Sequence, residues 1–268
     1  MKKFVFLVLI SIAFVSCSEY QKVLNKGSVS QQYKLAEQLY KDGKYGKALV
    51  LFEKVIPTFK AKPQMLRIQF MIAKSNFELG NYDMAAYYFN RFINNYPKSS
   101  KIKEADFLVA ESYYKKSPKY SLDQKDTYKA LTYLQNFLDK YPNSEYEDTI
   151  NKQYKELTHK LDKKYFEIAK QFYTIEDYKA AIPALDTYLS DHLGTPYKED
   201  ALYYKFLAGY KLAENSVEYK KEKRIKNALK YFERFKKLYP NSEHLKETET
   251  LAEKLRLMLK NMSNRSNS

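Results

Sequence analysis

The sequence predicts an all-α protein: an α-solenoid of about five helix pairs, with a long helix connecting pairs three and four. Three observations carry that expectation. The first is a recurring trio of an alanine and two apolar residues: Ala48, Phe52 and Val55; Ala85, Phe89 and Phe92; Ala130, Leu134 and Phe137; Ala181, Leu185 and Tyr188; Ala228, Phe232 and Phe235. Steps of four and then three keep each trio on one helical face, where the alanine lets a neighbouring helix approach closely. The second is a shared ending, Tyr96-Pro97, Tyr141-Pro142 and Tyr239-Pro240, followed by Ser99, Ser144 and Ser242. Proline stops the helix and disfavours helical geometry in the residue before it. The third is composition. Only 6 Gly and 8 Pro in 268 residues leave little chain for long loops or a turn-rich sheet, and 27 Tyr with 16 Phe suit small units that each bury a large face.

Residues 1–16 have the form of a lipoprotein signal peptide. Lys2-Lys3 precedes an apolar run from Phe4 to Phe14, which is shorter than the ~20 residues of a membrane span. The run closes on Val15-Ser16-Cys17, which resembles a bacterial lipoprotein signal. Cys17 is the only cysteine, so it has no intramolecular disulfide partner and no second thiol for a metal site. It is expected to carry lipid and anchor the chain to a membrane. Residues 17–29 are polar and read as a lipidated tether.

Residues 30–142 hold repeats one to three, 143–261 repeats four and five with a capping helix, and 262–268 a polar tail expected to be disordered. The first helix of each pair is marked by Ala36, Ala73 and Ala169, twelve residues before the second-helix alanine, and by Ala110 and Ala208, twenty before it. Repeats three and five thus share an eight-residue excess, read as lengthened loops or an extra helical turn. Ser144 to Tyr173 lacks Gly and Pro and keeps Tyr146, Ile150, Tyr154, Leu157, Leu161, Tyr165 and Ile168 at helical steps, which predicts the connecting helix. Ser99, Ser144 and Ser242 are candidate N-caps, and Ser144 with Glu147 fits a capping box. Pro57, Pro63 and Pro196 sit off register, so repeats one and four end weakly.

The formal net charge is +15, but acidic residues are interleaved with the basic ones, as on solvated helix faces. No nucleic-acid surface is expected. His159, His192 and His244 are far apart in sequence, and there is no phosphate-binding glycine loop or nucleophile elbow. No cofactor, metal or enzymatic activity is expected.

The pattern resembles the tetratricopeptide repeat, two antiparallel helices in ~34 residues, from about Ser30 to Asn261. It is most specific in repeat two, at Ala73, Gly80, Tyr82, Ala85, Phe89 and Pro97. The resemblance implies that first helices line a groove. Three residues before the first-helix alanines lie Tyr33, Phe70, Phe107 and Phe166, with Lys205 breaking the series; four after them lie Tyr40, Phe77, Tyr114, Tyr173 and Leu212. Stripes of this kind serve packing more often than binding. Tyr33, Tyr40, Phe70, Phe77, Phe107 and Tyr114 are the candidate peptide-binding aromatics. Arg67 and Lys74 are the candidate partners of a peptide carboxylate.

The signal, Ala36-Glu37-Gln38-Leu39-Tyr40, Gly43-Lys44-Tyr45, Gly80-Asn81-Tyr82, and the stretches Phe92 to Ser99, Phe137 to Ser144 and Phe235 to Ser242 together resemble the BamD family, lipoproteins of the outer-membrane β-barrel assembly machinery. The resemblance implies a lipid-anchored protein on the periplasmic face of the outer membrane. Its partners would be the periplasmic domains of a barrel-forming assembly protein, unfolded outer-membrane proteins and other assembly lipoproteins. Two other readings stay open: a periplasmic tetratricopeptide scaffold of envelope maintenance or cell division, which would have fewer repeats behind a coiled coil, and a nutrient-binding lipoprotein, which would need longer loops.

Overall fold

The computed structural model describes residues 19–266. The signal peptide and Cys17 lie outside the described residues. Every regular element among those described is a helix: α1 (residues 19–26), α2 (Val29–Lys41), α3 (Tyr45–Phe59), α4 (Gln64–Glu78), α5 (Tyr82–Asn95), α6 (Ile102–Lys116), α7 (Lys125–Lys140), α8 (Glu147–Thr174), α9 (Tyr178–Asp191), α10 (Lys198–Glu214), α11 (Glu218–Leu238) and α12 (Leu245–Ser266). Short connections make sequential helices antiparallel neighbours, which gives an α-solenoid of tetratricopeptide-like pairs. The helices form two compact units. One holds residues 19–118 and 124–154; the other holds 119–123 and 155–266. The division falls inside α8 rather than at residue 142.

Each unit has its own core. In the first, Leu51, Phe52, Ile68, Ile72, Phe89 and Phe92 are fully buried; in the second, Phe206, Ile225, Phe232, Phe235 and Leu255 are. All five second-helix alanines have no exposed surface, as the sequence predicts for helix contacts.

The two insertions resolve differently. In repeat three the excess is the loop 117–124, held by Ser117 Oγ against Thr127 Oγ1 at 2.6 Å. In repeat five the loop is short and the excess lengthens α11, which begins ten residues before Ala228 where α5 begins three before Ala85.

The helix ends correct several expectations. Tyr96, Tyr141 and Tyr239 are the C-caps of α5, α7 and α11, with φ of −134°, −132° and −130°. His192 caps α9 in the same way, at φ −116°, so repeat four ends no more weakly than the others. Thr195 there takes the place of the serines. The hydroxyls of Ser99, Thr195 and Ser242 accept from the backbone N–H two residues on, at 3.2, 3.2 and 3.1 Å, which shapes the turn instead of capping the next helix. The Ser144–Glu147 capping box does not form, because Ser144 Oγ is buried without a hydrogen-bond partner. The capping box that does form is Ser28 with Gln31 on α2, an S-x-x-Q pattern that could have been read from the sequence.

Both ends are helical where described, which corrects the expectation of a disordered tail. The tether is helical over residues 19–26, with Tyr20 buried against the first core and Gln32 Nε2 donating to Val23 O and Leu24 O. Three apolar residues at helical spacing, Tyr20, Val23 and Leu24, account for it. At the other end α12 continues to Ser266, because Met258, Leu259 and Met262 pack on the second core.

Candidate functional site

The aromatic ladder is present, and its geometry is regular. In repeats one to three the rings of the first series lean on rings of the second helix in their own pair. Tyr33 meets Phe59 at 5.1 Å, Phe70 meets Phe92 at 5.3 Å, and Phe107 meets Phe137 at 6.1 Å. In the second series Tyr40 meets Tyr45 at 5.5 Å, Phe77 meets Tyr82 at 5.6 Å and Tyr173 meets Tyr178 at 5.6 Å. These are edge-on or tilted pairs, the favoured aromatic arrangement.

The residue five positions after each C-cap covers the ladder from the other side. Lys101 lies 5.4 Å over Phe70, Tyr146 stacks on Phe107 at 4.1 Å, Tyr197 stacks on Phe166 at 5.2 Å and His244 stacks on Tyr203 at 4.0 Å. Tyr203, not Lys205, therefore continues the first series, and Tyr210 continues the second, 37 residues after Phe166 and Tyr173. The register marked by Ala208 is two residues off. In that register Phe206 stands where Ala169 stands in repeat four, and α10 approaches α11 closely at Gly209, where a Cβ would stand 2.9 Å from the Tyr231 ring and 3.3 Å from Ala228.

Exposure sorts the candidates. Phe70 is 9% exposed and belongs to the core, which corrects its assignment as a free contact. Tyr33, Tyr40, Phe77, Phe107 and Tyr114 are half-buried and keep an edge at the surface. The two cations are already engaged. Arg67 Nε lies 3.1 Å from Glu37, which also accepts from the Tyr33 hydroxyl at 2.7 Å. Lys74 Nζ lies 2.9 Å from Glu78 and 5.0 Å over Phe77. Partly exposed pairs of this kind contribute at most about 1 kcal/mol, so an incoming carboxylate can displace them. Burial first, and Glu37 second, push the Tyr33 pKa up to about 12. Burial does the same for Tyr40, also to about 12.

The histidines act as ring and hydrogen-bond partners. His192 Nδ1 is 3.0 Å from Asp162, and the Tyr197 hydroxyl is 2.8 Å from His159 Nε2. Among the described residues, no group of His, Cys, Asp and Glu could hold a metal ion, and no helix is long and apolar enough to cross a membrane.

Sequence reasoning missed the buried lysine. Lys205 is 6% exposed, pairs with Asp186 at 2.5 Å and lies 4.2 Å from the Tyr231 ring centre. Its place inside a core helix, between Tyr203 and Phe206, was the available signal.

A family model described as YfiO, outer membrane lipoprotein, matches residues 25–174 and 159–263. The two matches overlap within α8. No curated protein matches the sequence significantly. Among solved structures, a TPR2AB domain of yeast Sti1 in a pHSP90 complex covers 85% of this chain and 98% of its own at 16% identity and a TM-score of 0.43. A TPR-repeats protein of Bacteroides fragilis covers 86% and 99% at 15% identity and a TM-score of 0.37.

Proposed function

The chain belongs to the YfiO family of outer membrane lipoproteins, and from that premise we propose that it is a non-enzymatic scaffold of the outer-membrane β-barrel assembly complex. The observation that carries this reading is the family match across residues 25–174 and 159–263. Helix pairs with aromatic-lined first helices supply the protein-interaction fold such a role needs.

In this reading the protein sits on the periplasmic face of the outer membrane, held by lipid on Cys17. The first unit receives targeting signals of unfolded barrel proteins along the half-buried edges of Tyr33, Tyr40, Phe77, Phe107 and Tyr114, with Arg67 and Lys74 exchanging Glu37 and Glu78 for a client carboxylate. The second unit docks on periplasmic domains of the barrel-forming partner, with other assembly lipoproteins joining the complex. Purification of the detergent-extracted protein from its own cells tests this. Recovery of a barrel-forming membrane protein with it supports the reading, and recovery of envelope-maintenance or division proteins in its place overturns it.

A further inference from the structure

The second unit contains a cavity of about 390 Å³ that the ladder does not include, walled by α9, α10 and α11. Its apolar lining comes from Ile182, Leu212, Tyr219 and Tyr231, with Gly209 opening the floor. Four cations surround it: Lys179, Lys220, Lys223 and Arg224.

Three of the four, with Tyr219, stand on the two-turn N-terminal extension of α11, the insertion peculiar to repeat five. Their spacing places Lys220, Lys223, Arg224, Asn227 and Tyr231 along one helical face. The acidic residues of the extension are sorted to other positions, where Glu218 pairs with Lys221 and Glu222 with Lys226. None of the four lining cations has an acidic partner among the described residues; Arg224 Nη1 donates to Ser216 Oγ at 2.6 Å. Lys205, whose ammonium lies against the Tyr231 ring, is by contrast paired with Asp186.

Four uncompensated cations around an apolar pocket make a site of strong positive potential, complementary to an anion that carries an apolar body. A space of about 390 Å³ takes a few side chains and not the two acyl chains of a phospholipid. A second copy of this chain, itself at net charge +15, is repelled. We propose that this cavity binds an acidic linear segment of another protein, with one aromatic or aliphatic side chain inserted between Leu212, Tyr219 and Tyr231 and carboxylates held by Lys179, Lys220, Lys223 and Arg224. The extension of α11 exists to build this wall. The site lies wholly within the second unit and does not depend on client binding by the first.

The test uses the full-length, detergent-extracted protein and a fluorescein-labelled peptide, Asp-Glu-Phe-Asp-Glu-Leu, followed by anisotropy. Saturable binding is expected, weakening with added salt. Lys220→Glu with Lys223→Glu should weaken it by about tenfold or more, the scale of two lost charge-assisted contacts. Both side chains are exposed, so the melting temperature should not move. Lys226→Glu, at a position paired with Glu222, should bind as the parent does. Equal binding of a peptide with Asn and Gln in place of Asp and Glu overturns the proposal, as does unchanged affinity in the double variant. Displacement of the peptide by phosphatidylglycerol vesicles at lower concentration assigns the site to lipid and also overturns it.

Discussion

Gly80 illustrates what single residues contribute. It follows α4 at φ +76°, and Gly43 follows α2 at φ +71°, in left-handed geometry. Asn81 N donates to Asn76 O at 2.9 Å and Lys44 N to Leu39 O at 2.8 Å, which closes the helix ends. The equivalent position after α8 is Glu176, at φ +63°, where a side chain bears the strain glycine avoids. A Cβ at Gly80 would meet nothing within 4 Å, so backbone strain alone sets the effect. Gly80→Ala should lower stability by about 1 kcal/mol, and Glu176→Gly should raise it by about 0.5 kcal/mol, after the entropy of an added glycine is counted. Urea midpoints check both. Phe70→Ala is the contrasting case. With Phe89 and Phe92 packed on its ring at 5.7 and 5.3 Å, it should cost about 3–5 kcal/mol and register as unfolding, not as a binding defect.

At the scale of elements, helix lengths follow what each end packs against. α12 looks polar after Asn261, yet it continues because Met258, Leu259 and Met262 stay on the face that meets the second core. Deleting residues 257–268 should therefore lower the stability of the second unit by roughly 2–4 kcal/mol, from the loss of three partly buried apolar side chains. A thermal melt unchanged by the deletion would mean that the helix end is not held there. The loop 117–124 is an element of the opposite kind, irregular but anchored. Lys164 Nζ donates to Leu122 O at 2.8 Å and Lys163 lies 4.6 Å over the Tyr120 ring.

For the molecule as a whole, the high tyrosine content sets the response to alkali. Tyr33, Tyr40, Tyr113 and Tyr188 are each held neutral by burial, with pKa values pushed up from 10.0 to about 12. Tyrosine gains charge when it loses its proton, so a raised folded value means that the fold favours the neutral form. That stability is complete below about pH 10 and is lost as pH rises through about 12. The protein should unfold cooperatively in this window, with the absorbance of ionised tyrosine rising together with the loss of helix. A graded rise at unchanged helicity would contradict it. Membrane attachment is the other whole-chain property. In the proposed reading the lipid on Cys17 is the anchor, so Cys17→Ser should weaken membrane association, measured by cell fractionation; unchanged association would contradict lipid anchoring at that residue.

The sequence by itself determined the helix pairs, their alanine contacts, the long α8 and the family. Each depends on local periodicity or on a stop signal at Tyr-Pro, which the chain encodes within a few residues. Only the tertiary structure decided which side of the ladder faces solvent. Phe70 and Phe77 have the same spacing pattern, and their burial differs because of what the next repeat lays over them. The register of repeat five follows the rings at Tyr203 and Tyr210, which alignment on Ala208 displaced by two residues. His192 could replace tyrosine at the end of α9 because the cap is a backbone geometry. The cavity beside α11 was invisible for a related reason. Lys179, Lys220, Lys223 and Arg224 come from two helices, and nothing along the chain shows that the intervening α10 brings them around one pocket.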